Sequence, residues 1–96
     1  MENSLVEKLQ DEIGTVSWPW LKPHGERDAL FLIDPQMDLL DVAVHIAEDR
    51  VEQVRHWLET GKIIRPDTKQ MDAWETANTM FSCLIVKPFV LIQLPS

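Results

Sequence analysis

Four side chains near the middle of the chain have the types and spacing to do chemistry. Asp38, Asp41, His45 and Glu48 recur every three or four positions, with Asp34 just upstream. On a helix that spacing places them on one face. Carboxylate oxygens and an imidazole nitrogen are ligands for a divalent cation, so Asp34, Asp38, Asp41 and His45 form a candidate metal-dependent or other enzymatic site. The plainer account is that Leu39, Leu40, Val42, Ala43, Val44, Ile46 and Ala47 fill the rest of the same helix. A helix buried on most of its circumference must still turn a polar stripe to water. A metal site also needs ligands from a second element, and the sequence points to none, so no cofactor is expected.

The other reactive types have weaker settings. Cys83, the one cysteine, sits in an apolar run that suits a buried structural thiol better than a nucleophile, and it cannot form an internal disulfide. His24 falls near a predicted helix end and His56 on a solvated face. No glycine-rich phosphate loop, paired-cysteine motif or serine elbow occurs. Leu39 to Ile64 resembles a helix-turn-helix with a short wing. Its second helix, however, would present Arg50, Glu52, Gln53, Arg55, His56 and Glu59, a face of mixed sign where a DNA reader needs donors. The net charge of −7 opposes approach to phosphate backbones and anionic lipid, and the nine lysines and arginines are dispersed along the sequence. Neither nucleic acid nor membrane is an expected partner.

These residues need elements to position them. Ser4 and Glu7 form a capping box, and Leu5, Leu9, Ile13 and Val16 follow at helical spacing, predicting a first helix from Leu5 to Thr15. Ser17 can cap a second helix with Pro19 in its first turn, brought to a stop by Pro23 and Gly25. Ala29 to Ile33 is apolar on both faces, as a strand covered on both sides would be. A helix over residues 38–48 comes next. Asp49, with Glu52 at the boxed position, then caps a helix with Val51, Val54, Trp57 and Leu58 inward, and Gly61 supplies a left-handed stop. Lys62 to Arg65 reads as a short strand. Asp67 or Thr68 caps a helix carrying Met71, Trp74 and Ala77 on one side. Phe81 to Val86 and Phe89 to Leu94 are rich in strand formers. Lys87-Pro88 cannot supply the positive backbone angles of a tight hairpin, which favours one long strand bent at Pro88 near a sheet edge. The expected architecture is a single α+β domain over residues 1–96: two N-terminal helices, then β-α-α-β-α-β, with a mixed sheet packed against helices.

Of the four tryptophans, Trp57 and Trp74 fall on inward helix faces and Trp18 packs with Leu21. Trp20, flanked by Pro19 and Pro23, is the one expected to be partly exposed, where an indole can anchor a partner. A strand such as Phe89 to Leu94 must be paired within the domain or with a second copy, because an uncovered apolar strand aggregates. Trp20, Phe89 and Leu91 are therefore the candidate interaction residues, and a homodimer is a possible outcome.

With the elements placed, the chain resembles a bacterial family of small proteins classed as a domain of unknown function, number twenty-two eighty-eight. The resemblance rests on Val16-Ser17-Trp18 with Leu21, Arg27-Asp28-Ala29-Leu30, and Asp38-Leu39-Leu40-Asp41-Val42-Ala43. It continues through Ile46-Ala47-Glu48-Asp49, Trp57-Leu58 and Leu84 to Gln93. It covers nearly the whole chain, implies the same fold, and brings no catalytic residues with it. The longest apolar stretch, Met80 to Leu94, is broken by Lys87 and Pro88 and is too short for a membrane helix, and the N-terminus lacks the apolar core of a signal peptide. The expectation is a non-catalytic protein-interaction or regulatory module of the bacterial cytoplasm. The alternatives are an enzyme built on the acidic stripe and a nucleic-acid binder.

Overall fold

A computed structural model describes residues 5–94. The elements run α1 (Leu5–Glu12), β1 (Gly14–Ser17), α2 (Trp18–Glu26), β2 (Leu30–Ile33), α3 (Leu39–Ala47), α4 (Val51–Glu59), β3 (Ile63–Ile64), α5 (Thr68–Ala77), β4 (Met80–Val86) and β5 (Phe89–Gln93). The strands form one mixed sheet in the order β1-β4-β5-β2-β3. β5 runs parallel to β2 and antiparallel to β4, and the two outer pairings, β1 with β4 and β2 with β3, are antiparallel. The fold is α+β, as the alternation of apolar runs implies.

Successive strand residues point to opposite faces, so the register sorts the core into two halves. Phe31, Ile33, Leu84 and Leu91 pack with Leu9 of α1 and with Leu39, Val42 and Ala43 of α3 on one face. Leu30, Phe81, Cys83, Val90 and Ile92 pack on the other with Trp18 and Leu21 of α2 and Trp74 of α5. The second half is the aromatic one. Trp18, Trp74 and Phe81 meet as a triangle with centroids 5.0–6.4 Å apart, tilted or edge-on, the geometry that ring quadrupoles favour. The Trp18 indole N–H is buried and meets no acceptor among the described residues.

Several local expectations are corrected. The first helix ends at Glu12, and Gly14 to Ser17 form edge strand β1 instead of a last helical turn. Val16 keeps helical spacing from Leu9 only by coincidence, and the β-branched pair Thr15-Val16 suits the strand. Ser4 lies outside the described residues. Pro23 and Gly25 do not stop α2, which continues to Glu26. Pro23 and Pro19 are both exposed, so the Pro19 carbonyl that loses its partner faces solvent. Gly25 lets α2 approach α5, since a Cβ there would meet the Met71 sulfur at 2.8 Å. Asp49 is not a cap. It takes a left-handed φ of 59° in the turn, and Arg50 occupies the N-cap of α4 with no side-chain bond. The Asp67 cap is present, with Gln70 completing a reciprocal capping box.

The largest correction concerns the C-terminal segment. β4 and β5 are two strands of a hairpin, with Val86 opposite Phe89, and the turn between them carries a cis Lys87-Pro88 peptide. A cis-proline turn reverses the chain without any positive φ, so this hairpin needs no turn glycine. β5 is therefore interior to the sheet and paired along both edges. Leu91, a candidate interaction residue, is 0% exposed and cannot contact a partner. No helix among the described residues is long and apolar enough to cross a membrane.

Two consequences can be measured. Trp74→Ala removes the centre of the aromatic triangle and should cost about 3–5 kcal/mol in urea unfolding. Burial pushes the Cys83 thiol pKa up, so the folded state holds that proton more tightly than the unfolded chain. Stability should be unaffected by this group below the usual thiol pKa of about 8.5 and fall as pH rises from there toward the raised folded value. The chain has no tyrosine to obscure that window, and Cys83→Ala should flatten the decline between neutral pH and the onset of lysine titration.

Candidate functional site

The acidic stripe does not converge. The Asp34 carboxylate accepts from the Gln36 N–H at 2.8 Å, and the Asp38 carboxylate caps α3 by accepting from the Leu40 N–H at 3.0 Å. Both are turn and cap functions. The Asp34 carbonyl and that of Met37 accept from the Gln93 side chain at 2.9 and 2.6 Å, which ties the β2–α3 loop to β5. His45 donates through Nδ1 to the Asp41 carbonyl at 2.8 Å, and its ring meets Trp57 edge-on at 5.0 Å. Among the described residues no group of three or more His, Cys, Asp or Glu is placed to hold a metal ion. Asp34, Asp38, Asp41 and His45 share a helix and its entry loop, but the Asp34 and Asp38 carboxylates and the His45 imidazole bond the local backbone, and the Asp41 carboxylate lies 3.7 Å from His45 Nδ1. Cys83 lies in the core with its thiol pushed toward the neutral form, the opposite of an activated nucleophile.

The structure points instead to the way α4 sits. Sequence spacing places Val51, Val54, Trp57 and Leu58 inward, yet no residue of α4 is fully buried. Val54 and Trp57 pack against the core, while Val51 is 51% and Leu58 41% exposed. The turn explains this. The Arg50 N–H donates to the His45 carbonyl and the Asp49 N–H to that of Ile46, so α3 ends and α4 begins within a few residues. At the other end Gly61, at φ 79°, returns the chain to β3, with the Lys62 N–H donating to the Trp57 carbonyl. α4 is pinned at both ends and rests on its middle.

Beside it lies an open cleft of about 330 Å³. Ile46, Val51, Val54 and Leu58 form one wall, and Phe31 and Phe89, with ring centres 5.2 Å apart and planes tilted by 59°, form the floor. Arg50, Arg55 and Arg65 surround it, along with Asp49. The Arg65 guanidinium lies 5.3 Å from the Phe31 ring centre and also pairs with Asp28 at 2.8 Å. Arg50 pairs with Glu48, and Arg55 makes no ion pair among the described residues. Arg50 stands at a helix N-terminus, the end where a cation is electrostatically disfavoured, so helix stability does not account for its position.

Arg50, the N-cap, and Arg55 share α4, and the fold brings Arg65, from beyond β3, to the same cleft. Phe89, a candidate interaction residue, is half-buried in the cleft floor. Trp20 is 67% exposed on α2, as its flanking prolines suggest. The helical pair of α3 and α4 does not present a uniformly basic face, since Glu52 and Glu59 are exposed on α4 alongside His56. Nothing in the sequence pattern identified Val51 and Leu58 as cleft residues, because their spacing is that of a buried face.

No curated protein matches the chain. Among solved structures it is similar to the NMR solution structure of PA1075 from Pseudomonas aeruginosa, with a TM-score of 0.82 and 29% identity. That match covers 99% of this chain and 89% of the other. A family described as "Protein of unknown function (DUF2288)" matches residues 4–94. The resemblance read from the ordered segments is thereby borne out, and the chain belongs to that family.

Proposed function

We propose that the protein is a non-catalytic interaction module that docks a segment of a protein partner in the cleft beside α4. The observation that carries this reading is the exposure of Val51 and Leu58 over a floor of Phe31 and Phe89, with three arginines at the rim. Scattered exposed apolar residues are ordinary, whereas a contiguous apolar patch with a polar rim is the usual form of an interaction site. Val51 and Leu58 lie two helical turns apart, about 10 Å along the axis, which suits apolar side chains spaced along a peptide. Charge decides the rest of the partner's chemistry. Guanidinium groups pair well with carboxylates, so the occupant is an acidic segment with one apolar face. This role suits a site without converging reactive groups better than the enzymatic alternative does. The interface lies at the cleft and at Phe89, while Leu91 takes no part.

The test uses a labelled amphipathic helical peptide of leucine and glutamate, with glutamine and lysine counterparts, in fluorescence anisotropy. The acidic peptide should bind, more weakly as salt rises. Leu58→Asp, an exposed change that leaves the core intact, should reduce its affinity about tenfold or more. Binding that is unchanged by Leu58→Asp, or equally strong for the lysine peptide, would overturn the proposal.

A further inference from the structure

On the opposite face of the sheet a second cleft, of about 430 Å³, is lined by His24, Arg27, Ala29, Ile85, Lys87, Pro88 and Val90. It has three potential cations and no carboxylate in its lining, in a chain where acids outnumber lysines and arginines sixteen to nine. The complement to a helix dipole accounts for His24 and Arg27 at the end of α2. It does not account for Lys87, which comes from the β4–β5 turn and meets them across the cleft. The last carbonyls of α2 are in any case satisfied by the backbone. The N–H groups of Arg27, Asp28 and Ala29 donate to Pro23, Gly25 and His24. Arg27 donates to His24 Nδ1 at 3.0 Å, which steadies the guanidinium and leaves the His24 proton on Nε2. Neither Arg27 nor Lys87 makes an ion pair among the described residues. In the apolar part of the lining Val90 is buried, while Ile85 is 45% exposed and Pro88 is exposed as well.

We infer that this cleft binds a small organic anion, a carboxylate or phosphate on an apolar body. The anionic group lies between Arg27, Lys87 and the His24 Nε2–H, and the apolar body lies on Ile85, Pro88 and Val90. The volume falls in the range of about 300–1,000 Å³ usual for small-molecule sites. Two unpaired cations from different elements supply the charge-assisted donors that fix an anion's position. The site is separate from the α4 cleft, because Val90 and Phe89 point to opposite faces of β5.

The probes are octanoate, phenyl phosphate and uncharged octanol, titrated against the full chain while amide chemical shifts are recorded. Saturable shifts confined to the amides of Ala29, Ile85, Lys87 and Val90 are expected with at least one anion and not with octanol. Which anion saturates first separates carboxylate from phosphate as the recognised group. The double variant Arg27→Gln with Lys87→Gln, both exposed positions, should weaken the binding at least about tenfold. Three results would each overturn the inference: no saturable shift with either anion, equal shifts with octanol, or unchanged affinity in the variant.

Discussion

Strand β5 imposes the constraint on which the rest of the structure depends. Val90, Leu91 and Ile92 are consecutive and all buried, so apolar side chains leave both faces of this strand. Such a strand is stable only with a neighbour along each edge and a layer over each face. β4 and β2 supply the edges, one antiparallel and one parallel. α1 and α3 cover one face, and α2 and α5 the other. The division of the core into two halves follows directly, the half with Trp18, Trp74 and Phe81 being the richer in buried rings. Each residue of β5 is committed to one half by the two-residue period of the strand.

The same strand explains where the molecule is left open. β5 begins at Phe89, just after the Lys87-Pro88 turn, and here the helices covering each face fall short. α2 ends at Glu26 before reaching the turn, and α4 crosses the other face without burying any residue fully. The two clefts are these uncovered corners, one above Phe89 and one beneath Val90. Five of the nine lysines and arginines line them. A chain with net charge −7 thus has just over half of its lysines and arginines at these two corners, which gives electrostatic direction to any approach by an anionic group. At physiological salt the screening length is about 8 Å, so local groups matter more than net charge at these clefts.

Much of this was legible in the sequence, because local preference and burial agree. The apolar run of β2, the polar stripe of α3 and the Gly61 stop each have one reading that satisfies both, and of the two cap candidates Asp67 and Thr68 it is Asp67 that caps α5. Legibility failed where two mechanisms give the same pattern. Val16 is spaced to continue a helix but lies in a strand, and Asp49 has the chemistry of a cap but takes the αL turn that aspartate also tolerates. Lys87-Pro88 lacks the residues of common hairpin turns because a cis peptide makes the reversal. The acidic stripe was the clearest chemical signal in the sequence, yet its members are occupied with the ends and exposed face of α3. The clefts were invisible for a different reason. Arg27, Arg50, Arg55, Arg65 and Lys87 reach the two clefts only through the fold, and no spacing rule links the four segments that carry them.

The shallow seating of α4 separates what folding needs from what the surface can offer. A fully buried valine or leucine contributes about 1.5–3 kcal/mol, a large share of the roughly 5–15 kcal/mol that holds a domain folded. Leaving Val51 and Leu58 half in water forgoes part of that contribution in a chain short enough to have little margin. The helix tolerates it because its two ends are fixed independently, by the Asp49 turn and by Gly61 with β3. Rotating α4 inward would bury both residues, but it would draw Arg50 and Arg55 toward the core, where an unpaired guanidinium is far more costly. Arg50 and Arg55 stay exposed in this seating, and Val51 and Leu58 beside them stay half in water. Burial of Val51 and Leu58 by the proposed acidic segment would recover the forgone contribution and offer Arg55 a carboxylate, while Arg50 and Arg65 already have theirs in Glu48 and Asp28.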